Sequence, residues 1–225
     1  MESIVIVYED EHILVVNKPA GVSVHSDEHH REGTIIQEVQ EKYPTAELAH
    51  RLDKDTSGLL LVAKDHETWE YLKELFRERR VVKKYKVLVV GEVKKEEGTI
   101  ALAIIRSKSD FRKRVATPLQ GNNDARWAET NYKVIERFSG YTLLDVTPKT
   151  GRTHQIRAHF SSIGHPVVCD SLYGGKHFIC PFGLERQFLH AYSLLFDLQD
   201  GKTISLESEL PQDLEHVLHE LRTAL

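Results

Sequence analysis

The most concentrated group of chemically capable side chains lies between His50 and Gly58. This segment, HRLDKDTSG, holds two cations, two carboxylates and two hydroxyl groups beside a flexible glycine. It falls between predicted structured elements, and loops held by a rigid scaffold are where catalytic groups concentrate. The segment is therefore a candidate catalytic loop. The alternative is a turn in which an aspartate only caps or hydrogen-bonds the backbone.

A second candidate segment runs from Thr147 to Tyr173. A helix is predicted to begin at Gly151-Arg152, and its first turns hold three functional side chains: His154, Gln155 and Arg157. His154 and Arg157 are three positions apart and would share a face of this helix. A helix N-terminus with nearby cations favours anions such as phosphate or a carboxylate. The alternative is a charged surface helix whose apolar residues face the core.

Charge is unevenly distributed along the chain. The formal net charge is −4, but residues 51–196 hold 25 of the 30 basic residues and only 17 of the 34 acidic ones. Within this stretch, Phe76 to Lys86 has six cations against one anion, and Arg106 to Arg114 has five against one. Because local stripes of Lys and Arg bind a phosphate backbone, the two clusters favour a polyanionic partner. The alternative is a solvated helix end and a polar loop.

Histidine and cysteine spacing gives no metal site. Three histidines, His25, His29 and His30, lie close together in a polar segment. No histidines in the sequence have the spacing of zinc ligands on a helix. The two cysteines, Cys169 and Cys180, have no metal-binding spacing either. We therefore expect no metal, no disulfide scaffold and a reducing, cytoplasmic compartment.

Missing motifs exclude several other classes of protein. The sequence has no Gly-x-Gly-x-x-Gly dinucleotide motif, no Walker phosphate loop and no Gly-x-Ser-x-Gly nucleophile elbow. The longest apolar run, Leu59–Ala63, is too short for a membrane helix, which needs about 20 apolar residues. The acidic N-terminus lacks the basic start of a signal peptide. We therefore expect no membrane partner.

The elements that must position these residues are short strands mixed with a few helices. Runs rich in β-branched residues predict the strands Ile4–Tyr8, Ile13–Asn17, Ser57–Ala63, Lys84–Val90, Gly98–Ile105, Ala128–Glu136, Tyr141–Thr147, Phe188–Asp197 and Thr203–Glu207. Helical spacing of apolar residues predicts the helices Thr34–Lys42, His66–Arg79, His154–Ser162 and Asp213–Arg222. Without regular βαβ alternation, this mixture indicates an α+β fold with a largely antiparallel, mixed central sheet flanked by helices and loops. No linker divides the chain, so we expect one domain over residues 1–225.

His50-Arg51-Leu52-Asp53 is followed by Thr56-Ser57-Gly58. This motif resembles the signature of the RluA-type pseudouridine synthases, which isomerise uridine in structured RNA. Further motifs similar to the family's, in its order, are Glu9-Asp10, Val16 to Gly21, Lys83 and Tyr85 with Gly91, Gly151 to His159, Gly164 to Pro166, Asp170 to Gly174, and Phe188 to Ala191. Val87 and Cys169 depart from the pattern, since the family usually has Ala and Gly there.

The resemblance implies three catalytic residues: Asp53, Tyr85 and Arg157. A carboxylate suits a reaction that breaks the N1–C1′ bond of uridine, as a nucleophile or as a base and electrostatic stabiliser. By resemblance this role belongs to Asp53, while Asp55 occupies a variable position and receives none. Arg157 would pair with Asp53 and lower its pKa. Tyr85 would lie against the flipped uracil and help to remove the C5 proton.

The resemblance also implies residues that bind RNA: His50, Arg51, Thr56, Lys83, Arg152, His154, Gln155 and Leu189. Arg51 would fill the space left by the extruded base, and Leu189 would form the floor of the base pocket. The expected substrates are stem-loops of ribosomal RNA, transfer RNA or both, and no cofactor is needed. We expect a monomer, without the N-terminal RNA-binding domain that many relatives carry.

Two other functions compete with this interpretation. A non-catalytic RNA-binding protein on the same scaffold would be favoured by loss of the Asp, Tyr or Arg, and all three are present. A nucleoside glycosidase would also use a carboxylate. Such a hydrolase has little need for a basic middle section or for an arginine beside the nucleophile.

Overall fold

The structure is a computed structural model that describes residues 4–25, 33–118 and 124–224. It divides into two compact units. The first unit comprises Met1–Lys83 and Ala191–Glu209, and the second comprises Lys84–His190 and Leu210–Leu225. Two histidines of the polar segment considered above as a metal site, His29 and His30, lie outside the described residues. The single domain expected from the sequence stays a prediction.

The described residues form twelve strands and four α-helices. The strands are β1 Val5–Glu9, β2 Ile13–Lys18, β3 Glu47–Leu48, β4 Ser57–Ala63, β5 Val82–Val90, β6 Glu97–Ala101, β7 Ala103–Arg106, β8 Arg114–Thr117, β9 Glu129–Phe138, β10 Tyr141–Pro148, β11 Leu189–Asp197 and β12 Thr203–Glu207. The helices are α1 Ile35–Lys42, α2 His66–Arg77, α3 Gln155–Ser162 and α4 Gln212–Thr223. No described helix has the length and apolar character needed to cross a bilayer.

The first unit is built around β4, which is buried along its whole length. Its strands follow the order β1-β2-β4-β11-β12, and β3 also pairs with β4. The pairs β1-β2, β2-β4 and β11-β12 are antiparallel. Gly58 must lack a side chain, because a Cβ atom there would lie 2.2 Å from the carbonyl oxygen of Ala191. Leu72 and Leu75 of α2 pack on Leu59 and Leu61 to close this core.

The second unit contains the antiparallel strands β5-β10-β9-β6. A separate two-stranded hairpin is formed by β7 and β8. Leu88 and Leu143 from neighbouring strands pack against Leu214, Val217 and Leu218 of α4. The α+β fold with largely antiparallel pairing and flanking helices is confirmed.

Two local predictions were wrong. Gly98–Ile105 is two strands, β6 and β7, which are separated by Leu102. The carbonyl oxygen of Leu102 lies 3.1 Å from His159 Nε2, and Leu102 pairs with no strand among the described residues. The polar stretch Arg106 to Arg114 is a loop that joins the last residue of β7 to the first residue of β8. The third helix begins at Gln155, one residue after the start of the predicted range His154–Ser162. It does not begin at Gly151-Arg152, because His154 adopts a left-handed conformation with φ of 56°.

The two cysteines were not expected to form a disulfide, and the structure differs on this point. Cys169 and Cys180 form a disulfide with their Cα atoms 4.5 Å apart. A hydrogen bond from Gly174 N to Asp170 O and a short 3₁₀ turn at Gly175–His177 fold the intervening chain back on itself. Cys169 has φ of 57°, in the left-handed region that favours glycine.

Candidate active site

The loop that carries Asp53 is folded tightly against the start of β4. Thr56 N donates a hydrogen bond of 3.1 Å to the carbonyl oxygen of Asp53. Leu52 and Thr56 are buried, whereas Arg51 and Asp55 are exposed. Asp53 is half-buried. The turn therefore leaves Asp53 less exposed to solvent than Asp55.

The side chain of Lys18 holds this loop in place by hydrogen bonds. Its side chain is completely buried, and Nζ donates to the carbonyl oxygens of Pro19, Val22 and Lys54 at 2.7, 2.8 and 2.8 Å. Gly21 N donates to the same Lys54 oxygen at 3.0 Å. A buried ammonium is costly unless its donors are satisfied, so these bonds hold two loops together. Sequence reasoning missed this role, since a lysine after a strand carries no sign of burial.

His50 and Lys83 lie beside each other in the first unit. The Nε2 atom of His50 accepts a hydrogen bond of 3.0 Å from Leu61 N. Burial, helped by the charge of Lys83, lowers the pKa of His50 to about 3. His50 is therefore neutral at neutral pH, with its proton on Nδ1. Its ring centroid lies 5.0 Å from that of Phe76.

Lys83 is half-buried, with its charge near the same aromatic ring. Its Nζ lies 5.3 Å from the ring centroid of Phe76, within reach of a cation–π contact. Burial lowers the pKa of Lys83 to about 8. At neutral pH it remains mostly protonated, so it can attract a phosphate group, and it loses this charge under mildly alkaline conditions.

Arg157 and Asp170 form a buried, bidentate pair in the second unit. Arg157 Nε and Nη2 donate to the two carboxylate oxygens of Asp170 at 2.7 and 2.9 Å. Asp170 Oδ1 also accepts from the backbone N–H groups of Leu172 and Tyr173, both at 3.0 Å. The guanidinium lies 5.0 Å from the ring centroid of Tyr173. Arg157 is thus fixed in position by Asp170 and Tyr173.

The pairing of Arg157 with Asp53 stays a prediction. An arginine has five N–H donors, so the pair with Asp170 is compatible with a second carboxylate partner. Sequence reasoning placed Asp170 in a family motif but gave it no role. A carboxylate thirteen positions after an arginine has no local spacing signal, so only the folded chain reveals the pair.

Gln155 is a structural residue at the start of α3. Its Oε1 accepts hydrogen bonds from Thr150 Oγ1 and Arg152 N at 2.7 and 3.0 Å. Its Nε2 donates to Glu129 O and Thr130 Oγ1, both at 3.0 Å. These four bonds use the full capacity of the amide. The predicted contact of Gln155 with RNA is therefore less well supported than a positioning role.

The other predicted residues of the second unit occupy different environments. His154 Nδ1 lies 3.0 Å from the hydroxyl of Tyr173. Arg152 is exposed, and its Nε donates to Trp127 O at 3.4 Å. Tyr85 is buried on β5 opposite Val146 of β10. Leu189 is buried at the first position of β11.

The structure thus groups the predicted residues by unit. The first unit holds His50, Arg51, Asp53, Thr56 and Lys83. The second unit holds Tyr85, Arg152, His154, Gln155, Arg157 and Leu189. Within residues 4–25, 33–118 and 124–224, no group of three or more His, Cys, Asp or Glu side chains could hold a metal ion.

Comparisons with known proteins agree with these motifs. The family model of RNA pseudouridylate synthases matches residues 12–162. The chain is 36% identical to the ribosomal large subunit pseudouridine synthase C of Vibrio cholerae, over 97% of this chain and 70% of the relative. It is 38% identical to the protein of the same name from Escherichia coli strain K12, over 98% of this chain and 70% of the relative.

Solved structures with similar folds carry related names. Human RNA Pseudouridylate Synthase Domain Containing 4 has a TM-score of 0.80 and 26% identity, covering 97% of this chain and 93% of that chain. Human RNA Pseudouridylate Synthase Domain Containing 1 has a TM-score of 0.78 and 29% identity, covering 98% and 95%. The family match over residues 12–162 and the identity to the two bacterial synthases show that this chain belongs to the RNA pseudouridylate synthase family and is an RNA pseudouridine synthase.

Proposed function

We propose that the protein converts specific uridines of ribosomal RNA to pseudouridine, with Asp53 as the catalytic carboxylate and without a cofactor. The relatives named as synthases of the ribosomal large subunit favour ribosomal RNA over transfer RNA, which is the alternative substrate. Modification of ribosomal RNA fits a cytoplasmic protein. The observation that carries the mechanism is the half-buried Asp53 in a loop anchored by the buried Lys18.

The reaction rearranges bonds within one nucleotide. The N1–C1′ glycosidic bond breaks, the uracil turns, and C5 bonds to C1′ while N1 gains a proton. The proton on C5 leaves, so the product has the same composition as uridine. Asp53 acts at C1′, either as a nucleophile or by stabilising the positive charge that develops there. Both routes need an ionised carboxylate in a sheltered position.

Arg157 and Tyr85 assist this carboxylate in the proposed mechanism. Asp170 fixes the orientation of the Arg157 guanidinium, which would hold Asp53 ionised. A fixed arginine loses little entropy when it meets its partner, which suits a catalytic role. Tyr85 is buried on a rigid strand and would offer its ring to the uracil and its hydroxyl to the C5 proton.

The target base must leave its helix before Asp53 can reach C1′, at a cost of about a few kcal/mol. Arg51 is exposed next to Leu52 and would occupy the vacated space. Lys83, Arg152, His154 and the two basic clusters would bind phosphate groups. The enzyme would act as a monomer, with the substrate RNA as its partner.

A tritium-release assay on unmodified large-subunit ribosomal RNA labelled at C5 of uridine tests the mechanism. Wild-type protein should release tritium and form pseudouridine at defined positions. Asp53→Asn should abolish both while RNA affinity stays within a few-fold. Asp55→Asn is the matched control, because this exposed carboxylate lies two positions away, and it should retain activity.

The competing functions predict different products. A glycosidase would release free uracil, and a non-catalytic binder would produce neither uracil nor pseudouridine. Full activity of Asp53→Asn would overturn the proposed mechanism while leaving the family assignment intact.

A further inference from the structure

The tip of the β7–β8 hairpin presents an aromatic side chain to solvent. Phe111 is 65% exposed, more than any other large apolar side chain of the described residues. A single exposed apolar residue is common on protein surfaces and needs no explanation by itself. An exposed ring indicates a binding role only where the surrounding structure holds it in place.

Polar contacts fix the backbone of the tip without using the Phe111 ring. The carbonyl oxygen of Phe111 accepts from Arg106 Nε at 3.2 Å and from Arg114 Nη1 at 3.3 Å. Lys113 N donates to Asp110 O at 2.9 Å, and this closes the turn. The conformation of the tip is thus determined by hydrogen bonds, and the ring stays outside.

The hairpin is also attached to the segment that begins α3. Arg114 N donates a hydrogen bond of 2.7 Å to the hydroxyl of Tyr173. The same hydroxyl lies 3.0 Å from His154 Nδ1, and the Tyr173 ring lies beside Arg157. The hairpin is thereby held close to residues of the proposed active site in its own unit.

The charge around the ring points to one kind of partner. Arg106 to Arg114 contains five cations and one carboxylate, and Asp110 is engaged by Arg112 at 3.0 and 2.9 Å. A cationic surface attracts phosphates, and an exposed ring among cations can stack on a nucleobase. A paired base is already stacked within its helix, so the ring would select an unpaired base.

We propose that Phe111 is a base-stacking residue, which binds an unpaired nucleobase of the substrate RNA beside the target uridine. This inference rests on the proposed function, because it takes RNA to be the substrate. The cations around Phe111 would hold the backbone of the same strand. Phe111 touches no reacting atom, so it contributes to binding and to the choice of substrate.

Fluorescence anisotropy with two short RNA probes, a single-stranded oligoadenylate and a blunt duplex of equal length, tests the stacking contact. Phe111→Leu keeps an apolar side chain but removes the aromatic face. It should weaken oligoadenylate binding by about 10-fold, while duplex binding stays within two-fold. Phe111→Trp should retain wild-type affinity for oligoadenylate, since it restores a stacking surface.

Phe178→Leu is the matched control, because Phe178 is 50% exposed in the second unit but lies outside the hairpin. It should bind both probes like wild-type protein. An equal loss in Phe178→Leu, an equal loss on the duplex, or failure of Phe111→Trp to restore binding would overturn the proposal. Unchanged binding of both probes by Phe111→Leu would overturn the proposal as well. The exposed ring would then be assigned to an interface with a protein partner.

The same preparations separate this inference from the proposed function. If wild-type protein releases tritium from ribosomal RNA but Phe111→Leu binds oligoadenylate normally, only the stacking contact is wrong. If wild-type protein releases none, the proposed reaction is wrong, whatever the binding results show.

Discussion

At the scale of single residues, two ion pairs of similar geometry have different surroundings. Arg157 donates to both oxygens of Asp170 at 2.7 and 2.9 Å, and Arg186 donates to both oxygens of Asp213 at 2.6 and 2.9 Å. The Asp170 side chain is fully buried, whereas the Asp213 side chain is 45% exposed. Water can reach the carboxylate of Asp213 but not that of Asp170, although the two arginine side chains are similarly buried, at 11% and 9% exposed.

Asp170→Asn should therefore lower the free energy of unfolding by about 3 kcal/mol or more, because it leaves the Arg157 charge buried without its carboxylate. The control Asp213→Asn should cost less, because water reaches the Asp213 side of that pair and screens the remaining charge. Urea denaturation of both variants measures the difference. Equal losses in the two variants would show that burial does not determine the strength of these pairs.

His50 predicts a pH dependence of stability. Its folded pKa of about 3 lies below its ordinary value of 6.5, so between these values the unfolded chain binds a proton that the folded chain excludes. Stability should fall as the pH drops from 6.5 towards 3. His50→Gln should reduce this slope, whereas His216→Gln, at an exposed position of α4, should not. Urea denaturation at several pH values provides the test, and parallel curves for wild type and His50→Gln would contradict it.

Among the secondary-structure elements, the β7–β8 hairpin has cations that hold its tip and others that the proposed RNA contact would use. Arg106 and Arg114 hydrogen-bond the Phe111 carbonyl, and removing either would disturb the tip. Lys113 contributes its backbone to the turn, so its side chain can be removed with the turn intact. This makes Lys113 the cleanest probe of the hairpin's charge.

Lys113→Ala should weaken RNA binding and reduce the slope of log affinity against log salt by about 0.7–0.9, the value for one lost phosphate contact. Titrations of large-subunit ribosomal RNA at several salt concentrations measure the slope. Lys202→Ala, at an exposed position between β11 and β12, serves as the control and should keep the wild-type slope. An unchanged slope for Lys113→Ala would place the hairpin outside the RNA surface.

Elements with strong local signals could be predicted from the sequence. The strand Ser57–Ala63 is found as predicted, and Thr34 caps α1 with a hydrogen bond from Gln37 N. The helix at His66 begins as predicted because Asp65 provides its N-cap. The two-residue strand β3 and the short, charged β8 were missed, since neither has enough apolar residues to form a pattern. The left-handed turn at His154 has no signal, because glycine rather than histidine normally marks such a conformation.

At the scale of the whole molecule, the proposed site depends on contacts that are distant in sequence. The family motifs are sufficient to identify the candidate residues, including Asp53 and Arg157. They do not reveal that Lys18 anchors the loop after Asp53 or that Asp170 orients Arg157. Both contacts depend on the folded chain, because neither pair has a spacing that would indicate it.

The disulfide between Cys169 and Cys180 encloses the chain that carries Asp170 and Tyr173. Closing a short loop of this kind restricts the unfolded chain and stabilises a protein by about 2–3 kcal/mol. Reduction should therefore affect the stability of the whole molecule, because this loop holds Arg157 and the hairpin.

Dithiothreitol should lower the melting temperature of wild-type protein by about 5 °C or more, at roughly 2–4 °C per kcal/mol for a chain of this size. Cys180→Ser should melt near the reduced wild-type protein and should not respond to the reductant. Differential scanning calorimetry with and without dithiothreitol provides the measurement. A wild-type melting temperature that is insensitive to reduction would show that the bond adds no stability.

The burial of Lys18 has a practical consequence for studying the loop that carries Asp53. Amine-reactive reagents acylate lysines that solvent can reach, and Lys18 is inaccessible while Nζ bridges Pro19, Val22 and Lys54. Its acylation therefore requires these two loops to separate. The rate at which the peptide containing Lys18 is acylated, measured by mass spectrometry, would therefore report how often the two loops separate. No probe needs to be attached to the protein beforehand.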